Sequence, residues 1–308
     1  MKVLIKNISQ FTIALFLLVF VAFSILAFQS KWITATNIRY KPTCNGKLAE
    51  RIKEANQCRN IDILFLGSSH CYRGFDTRIF KSHDLLGFNL GSSSQTPMQS
   101  ALLLDRYVDF MKPQLVVLEI FPDLYDGNGL ESTLDFISNI GPSSVTHQML
   151  IETHDISAYN TYGYGLIKNL WLGPDIIQCD TALEQYVAGG FVEKKKFITT
   201  TFQGSSIPLS WKDSQLKSFN RIQEICNQRK IPLVYVLAPM TTAYYAQYPN
   251  IDHWISSIEQ DGFKVYNFNP IGKHYSESHF YDAHHLNQKG VEIFNQELIT
   301  IIKKDFPL

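Results

Sequence analysis

Residues 61–70 read Ile-Asp-Ile-Leu-Phe-Leu-Gly-Ser-Ser-His. Six mostly apolar residues run into a glycine and two serines, the pattern of a buried strand meeting a tight turn. Working outward, residues 85–90 form a second short apolar run that ends at Gly91. Thr96-Pro97 opens a helical stretch to about residue 112, with Pro97 suited to the first helical position. Leu-Val-Val-Leu-Glu-Ile at 115–120 is a third strand. Residues 210–230 have helical periodicity, with Leu216, Phe219, Ile222 and Cys226 on one stripe. A fourth strand is expected at 231–237, a helix at 251–260, a fifth strand at 263–268 and an amphipathic helix at 290–304. Strands alternating with helices at this spacing indicate a three-layer α/β fold, with a doubly wound, mainly parallel sheet covered on both faces. In such sheets the site lies beyond the carboxyl ends of the strands, at the topological switch point. Ser69, Gly91 and the residues after Ile120 all fall at strand ends.

Two segments lie outside this rhythm. Residues 11–28 contain only Thr12 and Ser24 as polar residues and no charge. Eighteen helical residues span about 27 Å, and starting from Ile8 gives about 31 Å, enough for a hydrocarbon core. Trp32 follows where an interfacial aromatic would sit. The run exceeds the usual apolar core of a cleaved signal peptide, and no clean Ala-x-Ala site follows. An uncleaved, single-pass transmembrane anchor over 1–30 is therefore expected, with a linker over 31–60 and the α/β domain over 61–308. Lys2 and Lys6 on one side nearly balance Lys31, Arg39 and Lys41 on the other. The large domain is expected on the periplasmic or extracellular side because a short tail before one long domain usually exports that domain. The second segment, 121–210, is an insertion after the third strand with Tyr125, Tyr159, Tyr162, Tyr164, Trp171 and Tyr186. It is far longer than an ordinary connection. It reads as an insertion with its own small core, or as a cap whose aromatic faces meet a sugar ring.

Composition excludes other classes. The 308 residues are 45% hydrophobic and 18% charged, which rules out a disordered chain. Lys+Arg and Asp+Glu are both 28, so the basic surplus of a nucleic-acid binder is missing. The phosphate-loop and Gly-x-Gly-x-x-Gly signatures are absent, as is the Gly-x-Ser-x-Gly elbow. The five cysteines include no Cys-x-x-Cys, so no zinc knuckle is signalled. In an oxidising compartment Cys44 and Cys58 are a candidate bridge.

Chemistry is suggested by two distant pieces, Gly67-Ser68-Ser69-His70 and Asp282-Ala-His-His285. A serine hydroxyl becomes a nucleophile only with a base in hydrogen-bond reach, and the base needs an orienting partner. If 282–285 forms a helical turn, Asp282 and His285 share one side. The carboxylate can then hold the imidazole Nδ1–H while Nε2 takes the Ser69 proton. The blander alternatives are Ser69 as a helix N-cap, His285 as a rim histidine and His70 as a support residue. Asp282, His284 and His285 also have metal-ligand chemistry, but adjacent histidines rarely share an ion. Neither a metal nor another cofactor is called for.

These pieces resemble the SGNH (GDSL-type) hydrolase superfamily. Gly67-Ser68-Ser69 matches its nucleophile block, with Ser68 where Asp is usual. Gly91, in Phe88-Asn-Leu-Gly-Ser-Ser-Ser94, matches the second block, and Asp282-x-x-His285-Leu-Asn-x-x-Gly290 the last. The resemblance implies a flavodoxin-like fold, with Ser69 as nucleophile, His285 as base, Asp282 as its orienting acid and the N–H groups of Ser69 and Gly91 as oxyanion donors. The family's third block, Gly-x-Asn-Asp after the third strand, supplies an Asn that donates to the oxyanion, but Ile120-Phe-Pro-Asp123 puts Pro122 there. Similar departures occur in the membrane-anchored branch resembling alginate O-acetylation and teichoic-acid D-alanylation proteins. That branch implies an ester-bearing glycan or lipid substrate and a membrane-bound acyltransferase as partner. Three functions follow: a serine esterase or O-acyltransferase on a surface glycan, a lipase or thioesterase of the same mechanism, or an inactive protein of this fold that binds or assembles glycan.

Overall fold

The computed structural model describes residues 1–28, 37–175, 183–194, 204–259, 262–269, 275–306 and 308. Trp32, Cys179, Lys195 and Lys196 lie outside them. In chain order the principal elements are α1 (Lys2–Phe28), α2 (Leu48–Ala55), β1 (Ile63–Leu66), α3 (Ser69–Gly74), α4 (Thr77–Lys81), β2 (Gly87–Asn89), α5 (Pro97–Met111) and β3 (Leu115–Glu119). They continue with α6 (Leu130–Asn139), α7 (Ser144–Thr153), α8 (Ile156–Leu172), β4 (Glu184–Val187), β5 (Phe191–Lys194), α9 (Asp213–Arg229), β6 (Leu233–Leu237), α10 (Thr242–Tyr245), α11 (Ile251–Glu259), β7 (Lys264–Asn267) and α12 (Gln288–Asp305).

The chain forms two compact units, one of Met1–Thr43 with Thr133–Gln178, the other of Cys44–Ser132 with Cys179–Leu308. In the second unit the sheet order is β2-β1-β3-β6-β7, with every neighbouring pair parallel. The chain winds from β1 outward to β2, then returns to β3 on the other side of β1. The switch point therefore lies between the carboxyl ends of β1 and β3.

Strands β1, β3 and β6 are buried along their whole length, as continuous apolar runs require when both faces are covered. Alternate residues serve opposite layers. Phe65, Val117, Val234 and Val236 pack with Phe75, Phe80 and the α12 stripe Val291, Phe294, Leu298 and Ile302. On the other face the Tyr235 ring stacks on Phe219 of α9 at 4.8 Å, and its hydroxyl accepts from Gln223.

Two expectations change here. The segment over 121–210 is not a single piece. Its middle, in α7 and α8, groups with α1. The β4–β5 hairpin instead adds Val187 and Phe191 to the main core, and its turn carbonyl at Gly189 accepts from Asn89 N–H of the short edge strand β2. That covers an otherwise open sheet edge. The Cys44–Cys58 bridge does not form: Cys44 is disulfide-bonded and Cys58 is a free thiol. The residues supposed to be linker fold into α2 between them, and eight helical residues hold its ends about 12 Å apart, beyond the span of a disulfide.

The first unit contains α1, which is long and apolar enough to cross a membrane. A signal sequence would show the same character.

Candidate active site

Ser69 is the first residue of α3, placed there by a turn that only glycine permits. Gly67 has φ +142°, and a Cβ on it would sit 2.6 Å from Glu119 Oε2. Its neighbour Ser68, not Ser69, caps the helix by accepting the His70 N–H at 3.2 Å. The Ser69 hydroxyl is thus left for other work. It lies 2.8 Å from His285 Nε2. The other ring nitrogen of His285 lies 2.9 Å from Asp282 Oδ2 and 3.1 Å from Oδ1. The fold thus brings together Ser69, His285 and Asp282 across 216 residues of chain.

The Asp282–His285 segment is a turn rather than helix. Phe280 and Leu286 pair as an antiparallel bridge around it. Asp282 Oδ1 accepts the N–H groups of His284 at 3.0 Å and His285 at 2.8 Å. The carboxylate therefore organises the backbone that carries its own imidazole partner. Hydrogen bonds from the His285 side chain, its positive charge when protonated and the backbone N–H of His284 outweigh burial and hold the Asp282 carboxyl far below the usual carboxylate range. Burial pushes His285 down, opposed by Asp282.

Two rings stack on that of His285. Tyr281 stacks on it at 5.4 Å with 9° between planes, and His70 at 4.5 Å with 16°. His70, His284 and His285 place ligand-type nitrogens within 4.8 Å of one another. A metal bound by an imidazole lies near the ring plane, and the stacked planes of His70 and His285 do not converge on one point. Hydrogen bonding explains the close approach: His70 Nε2 is 2.8 Å from the His284 carbonyl and 3.0 Å from its Nδ1. Burial lowers both rings, His284 to about 3, so both are neutral at pH 7.

Behind Ser69 lies a chain of polar groups that the motifs did not reveal. Glu119, fully enclosed at the end of β3, accepts the Ser68 N–H at 2.8 Å, and its Oε2 is 2.8 Å from Ser68 Oγ. Ser68 Oγ is in turn 3.2 Å from His70 Nδ1. A carbonyl can only accept, so His70 Nε2 carries the ring proton toward His284 and Nδ1 is an acceptor. Ser68 has one hydroxyl proton to offer Glu119 or His70. If Glu119 is protonated, it donates to Ser68 and Ser68 donates to His70, and no lone pairs oppose one another. Burial pushes the Glu119 carboxyl up to about 7, consistent with that state. The signal was present in the sequence as a lone carboxylate in an apolar strand.

This gives a stability prediction. A folded-state pKa raised above the unfolded value means the folded state holds the extra proton, so stability is lost as pH rises from 4.5 through 7. The rise from 4.5 to about 7 corresponds to about 3.5 kcal/mol. Glu119→Gln keeps an oxygen to accept the Ser68 N–H and has nothing to ionise. In urea unfolding, the stability of Glu119→Gln relative to wild type should rise by about that amount between pH 4.5 and 8. A difference that does not vary with pH would contradict a protonated Glu119.

The oxyanion donors are only partly as expected. Ser69 N–H lies at the first position of α3 and has no hydrogen-bond partner among the described residues. Gly91 N–H, in contrast, donates to Asn89 Oδ1 at 2.9 Å. The Asn89 side chain turns back because its amide group also donates to the Cys71 carbonyl at 2.7 Å. The expected Gly91 donor is therefore committed to its own loop. Pro122 begins a short 3₁₀ turn, and the following Asp123 accepts the hydroxyls of Tyr244 and Tyr248, both at 2.7 Å.

No family model matches the chain, and no curated protein matches it. Solved structures do resemble it. One is a Bacteroides fragilis protein named as an acylhydrolase, with TM-score 0.43 and 11% identity over 86% of this chain and 99% of that one. Another is a GDSL-like lipase from Bacteroides thetaiotaomicron, with TM-score 0.42 and 12% identity over 84% and 98%. A third, from Desulfitobacterium hafniense, is named as a lipolytic protein of the G-D-S-L family, with TM-score 0.39 and 13% identity over 79% and 99%.

Proposed function

We propose that this chain is a membrane-anchored serine esterase or O-acyltransferase that works on ester-linked acyl groups of a cell-surface glycan. The observation that carries the chemistry is the continuous contact Ser69 Oγ, His285 Nε2, His285 Nδ1, Asp282 Oδ2, with steps of 2.8 and 2.9 Å. Ser69 Oγ attacks the ester carbonyl as His285 Nε2 takes its proton, and Asp282 stabilises the imidazolium. The Ser69 N–H, at the positive end of α3, receives the developing oxyanion. His285 returns the proton to the departing alkoxide, leaving Ser69 acylated. Water or a sugar hydroxyl, deprotonated by His285, then attacks the acyl-enzyme; the acyl–Oγ bond breaks and Ser69 Oγ takes the proton back from His285, giving hydrolysis or transfer. The anchor is α1, with the α/β unit on the periplasmic or extracellular side, where such a glycan and a membrane-bound acyl-transfer partner would be found.

A second reading is favoured by the oxyanion region. Pro122 supplies no side-chain donor, and Gly91 N–H is already bonded. Loss of one donor costs about 3–4 kcal/mol of transition-state stabilisation. On that ground a non-catalytic glycan-binding role is the alternative. A fluorophosphonate probe separates the two in detergent-purified, folded protein. Covalent labelling of wild type but not of Ser69→Ala supports the enzyme, whereas an unlabelled wild type supports the binding protein.

A further inference from the structure

We infer that α8 is a second membrane element, lying in the same lipid leaflet as the carboxyl-terminal third of α1 with its exposed apolar face in the acyl chains. The inference rests on the proposal that α1 spans a bilayer. Helix α8 packs on the carboxyl-terminal stretch of α1. Phe20 and Phe28 flank the Trp171 ring at 6.2 and 6.1 Å, and Phe23 meets Tyr164 edge-on at 6.5 Å. The approach is close: a Cβ on Gly163 would come within 2.8 Å of the Phe23 ring. Trp171 Nε1 donates to Ser24 Oγ at 3.0 Å, giving a partner to one of the two polar side chains in the apolar run.

The register of α1 then fixes where α8 lies. Lys6 is the last charge before the apolar run. A span of about 30 Å needs about 20 residues, so a hydrocarbon segment that begins just after Lys6 extends to about Phe28. The α8 contact at residues 20–28 falls inside that segment, not beyond it. Helix α8 is built for such a place. Its 17 residues carry one charge, Lys168, which is paired with Asp175 at 2.7 Å. On one side of the helix Leu166 and Leu170 remain 42% and 70% exposed. In water such exposed leucines are unfavourable, whereas in lipid they are removed from water.

The test uses the full chain with Cys58→Ser, reconstituted in phosphatidylcholine–phosphatidylglycerol vesicles. An environment-sensitive dye is placed by Leu166→Cys, Leu170→Cys, Leu15→Cys or Lys289→Cys in separate samples. Leu170 and Lys289 are exposed, so these changes leave the core untouched. Lipids brominated on their acyl chains should quench the labels at 15, 166 and 170 about twofold or more, and leave the label at 289 unchanged. Iodide in the aqueous phase should do the reverse. Quenching at 15 with aqueous behaviour at 166 and 170 overturns the inference and leaves the α1 anchor standing. Aqueous behaviour at 15 overturns the anchor itself. Protection of 166 and 170 in native membranes but not in pure lipid would assign the face to a protein partner and also overturn the inference.

Discussion

His285→Ala is expected to lower turnover of p-nitrophenyl acetate by about 10⁴-fold or more, and Ser69→Ala by a similar factor. The double substitution should be little worse than either single one, because the two groups act as a unit. His284→Ala is the discriminating control. Its ring lies 4.1 Å from that of His285, and it is neutral because burial holds it down to about 3. Its nitrogen is turned to His70, not to Ser69. It cannot accept the Ser69 proton, so its loss should cost less than about tenfold. Equal losses at 284 and 285 would remove His285 from the role of base. The pH profile gives a second check. Since His285 must be neutral and its pKa is shifted below 6.5, the acid limb of kcat/KM should lie below pH 6.5, with activity lost as pH falls through it. An acid limb above pH 6.5 would point to another base.

The fold was largely legible because its strands are buried on both faces. Continuous runs such as Leu115-Val-Val-Leu admit no other placement once helices alternate with them. Chain order was enough to place Ser69 at a strand end, and the Asp-x-x-His spacing was enough to mark a partner. The conformations of the short connections were less legible. Asp282 and His285 meet through an Asx-type turn, where side chain and backbone compete for the same N–H groups. The Gly91 N–H was lost to Asn89, a side chain two residues away whose rotamer no periodicity encodes. The Glu119–Ser68–His70 chain was missed for a related reason. A carboxylate in an apolar strand has meaning only once its neighbours across the sheet are known. The long segment after β3 divides between two units because its middle is apolar enough to follow α1, while its hairpin is needed at the edge of the sheet.

Asp282→Asn is expected to lower kcat by about 10⁴-fold while leaving the fold intact, as in other triads where the orienting carboxylate becomes an amide. The local geometry determines why. Oδ1 of Asp282 is fixed by two backbone N–H groups, at 3.0 and 2.8 Å, which only an oxygen can accept. In the asparagine the amide oxygen must therefore keep that place, and the NH₂ group takes the position of Oδ2, 2.9 Å from His285 Nδ1. An NH₂ group can only donate, so Nδ1 becomes the acceptor and the ring proton moves to Nε2. That proton points at Ser69 Oγ, whereas catalysis needs an unprotonated Nε2 whose lone pair can take the nucleophile's own proton. The variant thus holds its base in the wrong tautomer. Asp282→Ala lacks the amide and leaves the tautomer free, at the cost of the two backbone hydrogen bonds. It should be more active than Asp282→Asn but less stable. Measuring kcat and urea unfolding on both variants tests this ordering, and an Asn variant within about tenfold of wild type would show that Asp282 does not set the tautomer of His285.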